Sequence, residues 1–231
     1  GSTGDPKGVM ISHANLWANV NELILPMWER GFELGGLAHG GRRTGCSWLP
    51  QYHDLGLVAM HIAPFAAGHH MVYLSPISFI IAPEQWVVAA ARYKANHIQA
   101  PDFGYKLVAK RGAKAMAVLR FHKLDLRELK FCLSAAERVR QETCIQFERL
   151  FRGEFGFEAQ WTPSYGLAES VVCVSSSANA PPQPRKLTCA EEIVCSSARP
   201  DIVCVGEELL VTIRIVDKET REEKPCGCAG E

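Results

Sequence analysis

Apolar residues recur at helical spacing after Ser12: Leu16, Val20, Leu23 and Ile24 share one face, and the serine hydroxyl is placed to cap the first turn. A short apolar piece, Cys46 to Leu49, reads as a strand, followed by helical pattern from about Asp54 to Ala67 and a buried strand from His70 to Leu74 that stops at Ser75-Pro76. Pro83 opens the next helix, with Trp86, Ala90 and Tyr93 as its inward stripe. Ile98 to Ala100 reads as a strand and Tyr105 to Arg111 as a helix. The alternation repeats with Leu129 to Leu133 as strand and Arg140 to Phe151 as a helix that buries Cys144, Phe147 and Phe151. Strands alternating with helices predict an α/β fold with a mostly parallel, doubly wound sheet flanked by helices, whose ligands sit beyond the carboxyl ends of the strands.

The pattern changes after Val174. Ser175 to Arg185 is rich in Ser, Ala and Pro, the chemistry of a linker, and Glu208 to Val216 then alternates with period two, Leu209, Val211, Ile213 and Ile215 on one face. Asp217 to Thr220 supplies a turn. The expected organisation is therefore an α/β core over 1–174 and a smaller β-rich subdomain over 175–231.

The composition removes several classes. Of 231 residues, 25 are Lys or Arg and 25 are Asp or Glu, so no net field draws in nucleic acid or an anionic surface. The densest basic stretch, Lys106 to Lys123, is broken by apolar residues at helical spacing and reads as a solvated helix face. The uncharged run Leu55 to Pro83 contains Pro64, Gly68, Pro76 and Pro83, which break any single membrane-spanning helix. Nine cysteines, several inside apolar strands such as Phe131-Cys132-Leu133, behave as small buried hydrophobes and predict a reduced, cytoplasmic protein. Cys226-Gly227-Cys228 lacks the second pair that a zinc site needs. With no starting methionine or signal peptide, the chain is expected to be a fragment.

Four segments carry candidate chemistry. Gly1-Ser2-Thr3-Gly4-Asp5-Pro6-Lys7-Gly8 joins glycines, hydroxyls and a lysine, the ingredients of a phosphate cradle or of a flexible surface turn; its spacing is not that of a Walker loop. Trp48 to Leu57 sets His53 and Asp54 at a strand-to-helix turn, as ligand groups or as a simple helix cap. Tyr165-Gly166-Leu167-Ala168-Glu169 separates a ring from a carboxylate by four positions, for a purine and Mg²⁺ or as an ordinary turn. Ser134-Ala135-Ala136-Glu137 is either a pocket wall or a small-residue strand end.

In this order the segments resemble the adenylate-forming enzymes: acyl-CoA synthetases, luciferases and peptide-synthetase adenylation domains. The opening loop is similar to the latter part of that family's phosphate loop and Tyr165 to Glu169 to its Y-G-x-x-E segment; Trp48-Leu49-Pro50 through His53-Asp54, Ser75 to Phe79, Ala100 to Tyr105 and Pro163 to Glu169 most resemble fatty acyl-AMP ligases. The resemblance covers nearly all of 1–174. It implies that ATP and a fatty acid give an acyl-adenylate and pyrophosphate, and that the acyl group then passes to an acyl carrier protein. By resemblance, Ser2, Thr3, Gly4 and Lys7 hold phosphates, Glu169 binds Mg²⁺, and Tyr165 and Gly166 lie by the adenine with Ser134, Ala135, Ala136 and Glu137 as a second wall. His53 then sits near the reacting carboxylate, with Asp54 and Gly56 at the acyl tunnel; Lys7, His53 and Glu169 form the catalytic set.

Two departures stand out. The family's N-G-A-E-P strand end appears as Ser134 to Arg138, with a methyl at Ala135 in place of a glycine and a proline lost. The family's ribose-binding aspartate, hinge and C-terminal lysine also lie outside the sequence, so the 231 residues alone are expected to turn over little. Alternatives are a CoA ligase, an amino-acid-activating domain, and an adenylate-forming fold kept for sensing lipid or nucleotide without turnover.

Overall fold

The computed structural model describes residues 8–40, 43–176, 207–208, 214, 216–217 and 219–224. The phosphate-loop residues Ser2, Thr3, Gly4 and Lys7, most of the expected linker and tail strand, and Cys226-Gly227-Cys228 lie outside the described residues.

The chain enters through a helical arm: α1 (His13–Ala18), a π-helical segment (Asn19–Ile24) and α2 (Leu25–Leu34). Ser12 caps it as expected, its hydroxyl accepting from Asn15 N at 3.1 Å while Asn15 Oδ1 accepts from Ser12 N at 3.0 Å. Then come β1 (Thr44–Ser47), a second π-helical segment (Leu55–Ile62), α3 (Ala63–Ala66), β2 (His70–Tyr73), α4 (Pro76–Ile81) and α5 (Glu84–Arg92). Next are β3 (His97–Ala100), α6 (Asp102–Lys110), α7 (Gly112–Phe121), β4 (Phe131–Ser134), α8 (Gln141–Phe155) and β5 (Gln160–Tyr165). With two short strands, β6 (Ser175–Ser176) and β7 (Glu207–Glu208), the described residues form a seven-stranded sheet of order β2-β1-β3-β4-β5-β6-β7.

The first five strands are parallel and the last two antiparallel, so the predicted doubly wound sheet is present. Alternation along the strands assigns its two faces. On one, His97 and Phe131 meet Trp28 and Phe32 of α2, with ring centroids 5.0 Å apart for Trp28–His97 and 5.5 Å for Phe32–Phe131. On the other, Cys46 reaches the Trp86 carbonyl and Trp161 packs on Tyr105 and Phe147 at 4.8 and 5.9 Å. The chain after β1 runs into the π-helical segment, which packs with the helical arm; the chain after β3 runs into α6, which packs with α8. Neighbouring strands thus send their helices to opposite faces, which opens a crevice at their carboxyl ends.

Several boundaries differ from the sequence reading. β1 starts two residues early, the helical stretch Lys106 to Lys123 is divided between α6 and α7, and α4 and β5 were not expected at all. Tyr93, expected to point inward, is 53% exposed, because α5 has ended at Arg92 and the chain turns away there. The expected Asp217 turn is present: its carboxylate accepts from Glu219 N and Thr220 N at 2.9 and 3.0 Å, and Val216 bridges to Glu223. Ser175 and Ser176, expected to begin the linker, extend the sheet by pairing with Tyr165 and Ser164.

Candidate active site

A cleft of about 410 Å³, counting the part open to solvent, lies over the carboxyl ends of β3, β4 and β5. Ala135, Ala136, Tyr165 and Gly166 line it together with Asp54, so four of the predicted adenine-wall residues and one predicted acyl residue converge. Tyr165, at the end of β5, is half exposed and presents a ring free to stack. Gly166 is required by close approach: a Cβ there would fall 1.5 Å from the Val172 carbonyl oxygen.

The second wall is pinned from behind. Glu137 Oε1 accepts from Phe103 N at 2.6 Å, so this carboxylate caps the start of α6 instead of lining the cleft. Buried Asp102 accepts from Arg140 N, Arg140 Nη1 and Thr143 Oγ1 at 2.8, 3.0 and 3.1 Å, tying the starts of α6 and α8 together. Between these anchors Ala136 takes a left-handed φ of 67°. Ala135 has no such φ; its methyl is buried against the cleft. Ser134 is buried and does not reach the cleft.

His53 and Asp54 form one unit. His53 Nδ1 lies 2.7 Å from Asp54 Oδ1, and the same carboxylate oxygen accepts from Leu55 N at 2.6 Å. Leu55 N also donates to His53 Nδ1 at 3.2 Å, so one backbone amide is shared between the ring and the carboxylate. The His53 ring is half exposed at this turn. The helix-cap reading of this turn holds: Asp54 caps the π-helical segment, with His53 beside it. Gly56 has a packing role, since a Cβ there would come 2.1 Å from the Pro50 carbonyl oxygen.

Inward of Asp54 the cleft becomes apolar between the helical arm and the sheet, lined by Ile24, Met27, Leu55, Ala59 and Leu133. Both π-helical segments contribute to it, a helix form concentrated at functional sites.

Glu169 occupies a single 3₁₀ turn, Ala168–Ser170, that closes in a strained way. Val171 has φ 68° and ψ −65°, and Val172 N donates to Ser170 O at 2.8 Å: a γ-turn with a β-branched residue at its centre. Asn19 holds this turn from the helical arm. Its Nδ2 donates to Ser170 O and Cys173 O at 3.1 and 2.9 Å, and its Oδ1 accepts from Cys173 N at 3.3 Å. Glu169 and Glu22 line a second depression of about 740 Å³ including open solvent, beside Met10 and Ile11, where the chain emerges from the glycine-rich loop. Glu169 and Glu22 are carboxylates, a donor type that Mg²⁺ takes together with several waters; no group of three metal-ligating side chains occurs among the described residues.

Sequence reasoning missed Asn19, Ile24, Met27 and Gln99. Asn19 had a legible signal: it falls on the apolar stripe of its helix, where a polar residue needs a buried partner.

The doubly wound sheet, the crevice at its carboxyl ends and the Tyr165-to-Glu169 turn define the class as an adenylate-forming fold. The chain belongs to the AMP-binding enzyme family, whose model matches residues 1–231. A 4-hydroxyphenylalkanoate adenylyltransferase of Mycobacterium tuberculosis is 33% identical over all of this chain and 37% of its own length. A medium-chain-fatty-acid–[acyl-carrier-protein] ligase, TtuA, of Teredinibacter turnerae is also 33% identical, over all of this chain and 35% of its length. Among solved structures, a fatty acyl-adenylate ligase from L. pneumophila in complex with acyl adenylate and pyrophosphate superposes with a TM-score of 0.71 at 28% identity, over 92% of this chain and 36% of that one. The chain thus spans little more than a third of these relatives' lengths.

Proposed function

We propose that the protein activates a fatty acid with ATP and Mg²⁺, forming an acyl-adenylate with loss of pyrophosphate, and passes the acyl group to an acyl carrier protein in the cytoplasm. The observation that carries this reading is the single cleft whose mouth is walled by Ala135, Ala136, Tyr165 and Gly166 and whose interior is apolar. A flat polar base at the mouth and a carbon chain within would place a carboxylate between them, beside Asp54 and its histidine. A carboxylate oxygen bonds to the α-phosphorus, the bond to the bridging oxygen breaks, and that electron pair leaves with pyrophosphate. No protein nucleophile takes part, so the site's work is to align two anions and offset their charge.

In this reading Ser2, Thr3, Gly4 and Lys7 hold the phosphate tail and Glu169 holds the metal. His53, beside Asp54, sits near the reacting carboxylate and α-phosphate. Gly56 lets the start of the acyl wall rest on the Pro50 backbone. Residues 1–174 act as the adenylation core and 175–231 as a smaller subdomain. The carrier-protein step draws support from the relative named as an acyl-carrier-protein ligase.

The test is fatty-acid-dependent pyrophosphate release by the intact protein, offered CoA or a carrier protein as acceptor. Release that needs Mg²⁺ and falls at least about 100-fold in Glu169→Gln is expected, as for loss of one charge-stabilising group. Acyl-CoA as the main product would overturn the carrier step, and no release with any carboxylic acid would overturn adenylation itself.

A further inference from the structure

The inner part of the cleft holds one side chain out of character with its walls. Ile24, Met27, Leu55, Ala59 and Leu133 surround it with carbon and sulfur, yet Gln99 of β3 lines it too. Gln99 has no exposed surface, and neither its Oε1 nor its Nε2 has a hydrogen-bond partner among the described residues. Buried donors and acceptors are almost always paired, and a leucine would fill this position without that penalty. The neighbours do not satisfy it. Thr162, in the same row across β4 (Gln99 opposite Leu133, Leu133 opposite Thr162), is buried with its own hydroxyl unpartnered among the described residues. The next hydroxyl on that face, Ser164, turns to Ser176 Oγ at 3.0 Å.

Resting on the adenylation reading, we infer that the cleft is built for a carboxylic acid carrying a hydrogen-bonding oxygen in its body, a hydroxy acid and not a plain alkyl acid, with Gln99 as the specificity-determining residue. A hydroxyl fits both vacant ends of the amide: it donates to Oε1 and accepts from Nε2. Depth sets where that oxygen must be. Leu133, opposite Gln99, is two residues short of Ala135, and Thr162 is three short of Tyr165, so at about 3.3 Å per residue the amide lies about 7–10 Å below the mouth. An extended chain covers that distance in roughly six to eight bonds from its carboxyl carbon.

The experiment uses the intact protein with 6-hydroxyhexanoic and 8-hydroxyoctanoic acids against their alkyl isosteres, heptanoic and nonanoic acids. Two readouts run in parallel: acid-dependent ATP–pyrophosphate exchange, and thermal shift by each acid without ATP. At least one hydroxy acid is expected to exceed its isostere by about tenfold or more in kcat/KM, because a site that bonds a hydroxyl rejects the analogue lacking it. Gln99→Leu should reverse the preference, and Gln99→Met serves if leucine does not fold. A hydroxy-acid preference in thermal shift that depends on Gln99 supports the inference even if no acid drives exchange, in which case adenylation alone fails. Preference for the alkyl isosteres, no shift with either class, or a Gln99→Leu variant that is more stable with its preference unchanged would each overturn it.

Discussion

The two alanines at the end of β4 look equivalent in the sequence and are opposite in the structure. Ala136 holds φ 67°, which disfavours an L side chain by about 1–2 kcal/mol, whereas glycine adopts it freely. Ala136→Gly should therefore stabilise the protein by about 0.5–1 kcal/mol in urea unfolding, once the extra freedom glycine gives the unfolded chain is subtracted. Ala135 carries a buried methyl on the cleft wall at an ordinary φ, so Ala135→Gly should destabilise by about 1–2 kcal/mol while tightening ATP in a direct binding measurement, through the space it opens. Equal effects of the two substitutions would show that the wall is not built this way. Resemblance to a glycine-containing strand end drew attention to Ala135, but only backbone geometry shows that the strained position is the next one. The same limit applied at Glu137, whose type suits a ligand contact and whose place makes it a cap for α6. At His53 and Asp54, by contrast, the residue types and their place at a strand-to-helix turn were enough to offer the helix cap that Asp54 forms.

At the scale of elements, the helical arm and the Glu169 turn form one device. Asn19 sits where the arm changes from α to π spacing and reaches across to Ser170 and Cys173 with three hydrogen bonds, holding a γ-turn that would otherwise relax. Replacing Asn19 by leucine strands buried backbone groups at about 1–3 kcal/mol each, so a loss of about 3 kcal/mol is expected, with faster hydrogen exchange at Val172 to Val174 and a raised Mg²⁺ requirement in pyrophosphate release. Unchanged exchange there would mean that the turn is held by other contacts. The helices whose apolar stripes were continuous, the arm, α5 and α8, were legible because packing on a sheet demands that stripe. β5 was not legible, for a physical reason. Its sequence Gln-Trp-Thr-Pro-Ser-Tyr contains a proline and three hydroxyl residues, yet Trp161 to Ser164 are buried on both faces. Such a strand carries neither alternation nor a β-branched run, and proline argues against a central position. The cleft was legible at its mouth, where unusual residues cluster in sequence, and not in its interior, which is assembled from Ile24, Met27, Gln99 and Leu133 on separate elements.

Across the whole molecule, the sheet face under α2 combines a hydrophobic core with a buried base. His97 is fully buried, Trp28 and Phe32 lie over its ring at 5.0 and 5.6 Å, and neither ring nitrogen has a hydrogen-bond partner among the described residues. Burial, with smaller contributions from His69 and Arg43, holds its pKa down at about 3, against 6.5 for a free imidazole. The unfolded chain therefore takes up a proton near pH 6.5 that the folded chain refuses until about pH 3. Stability from this residue is complete above pH 6.5 and is lost as pH falls, by about 1.4 kcal/mol per unit within that window. Between pH 7.5 and 4.5 the contribution comes to about 3 kcal/mol, a sizeable part of the 5–15 kcal/mol typical of a folded domain. His69, also lowered chiefly by burial, acts in the same direction, so removing His97 should reduce the acid sensitivity without abolishing it. His97→Leu leaves a differently shaped core, and its absolute stability is a poor readout; the slope of unfolding free energy against pH is the useful one. Urea unfolding of the two proteins at half-unit steps from pH 7.5 to 4.5 should show the variant losing close to one proton's worth of slope. Parallel curves would mean that His97 is protonated in the folded state with a partner beyond the described residues, and that the core under α2 is wetter than its aromatic packing indicates.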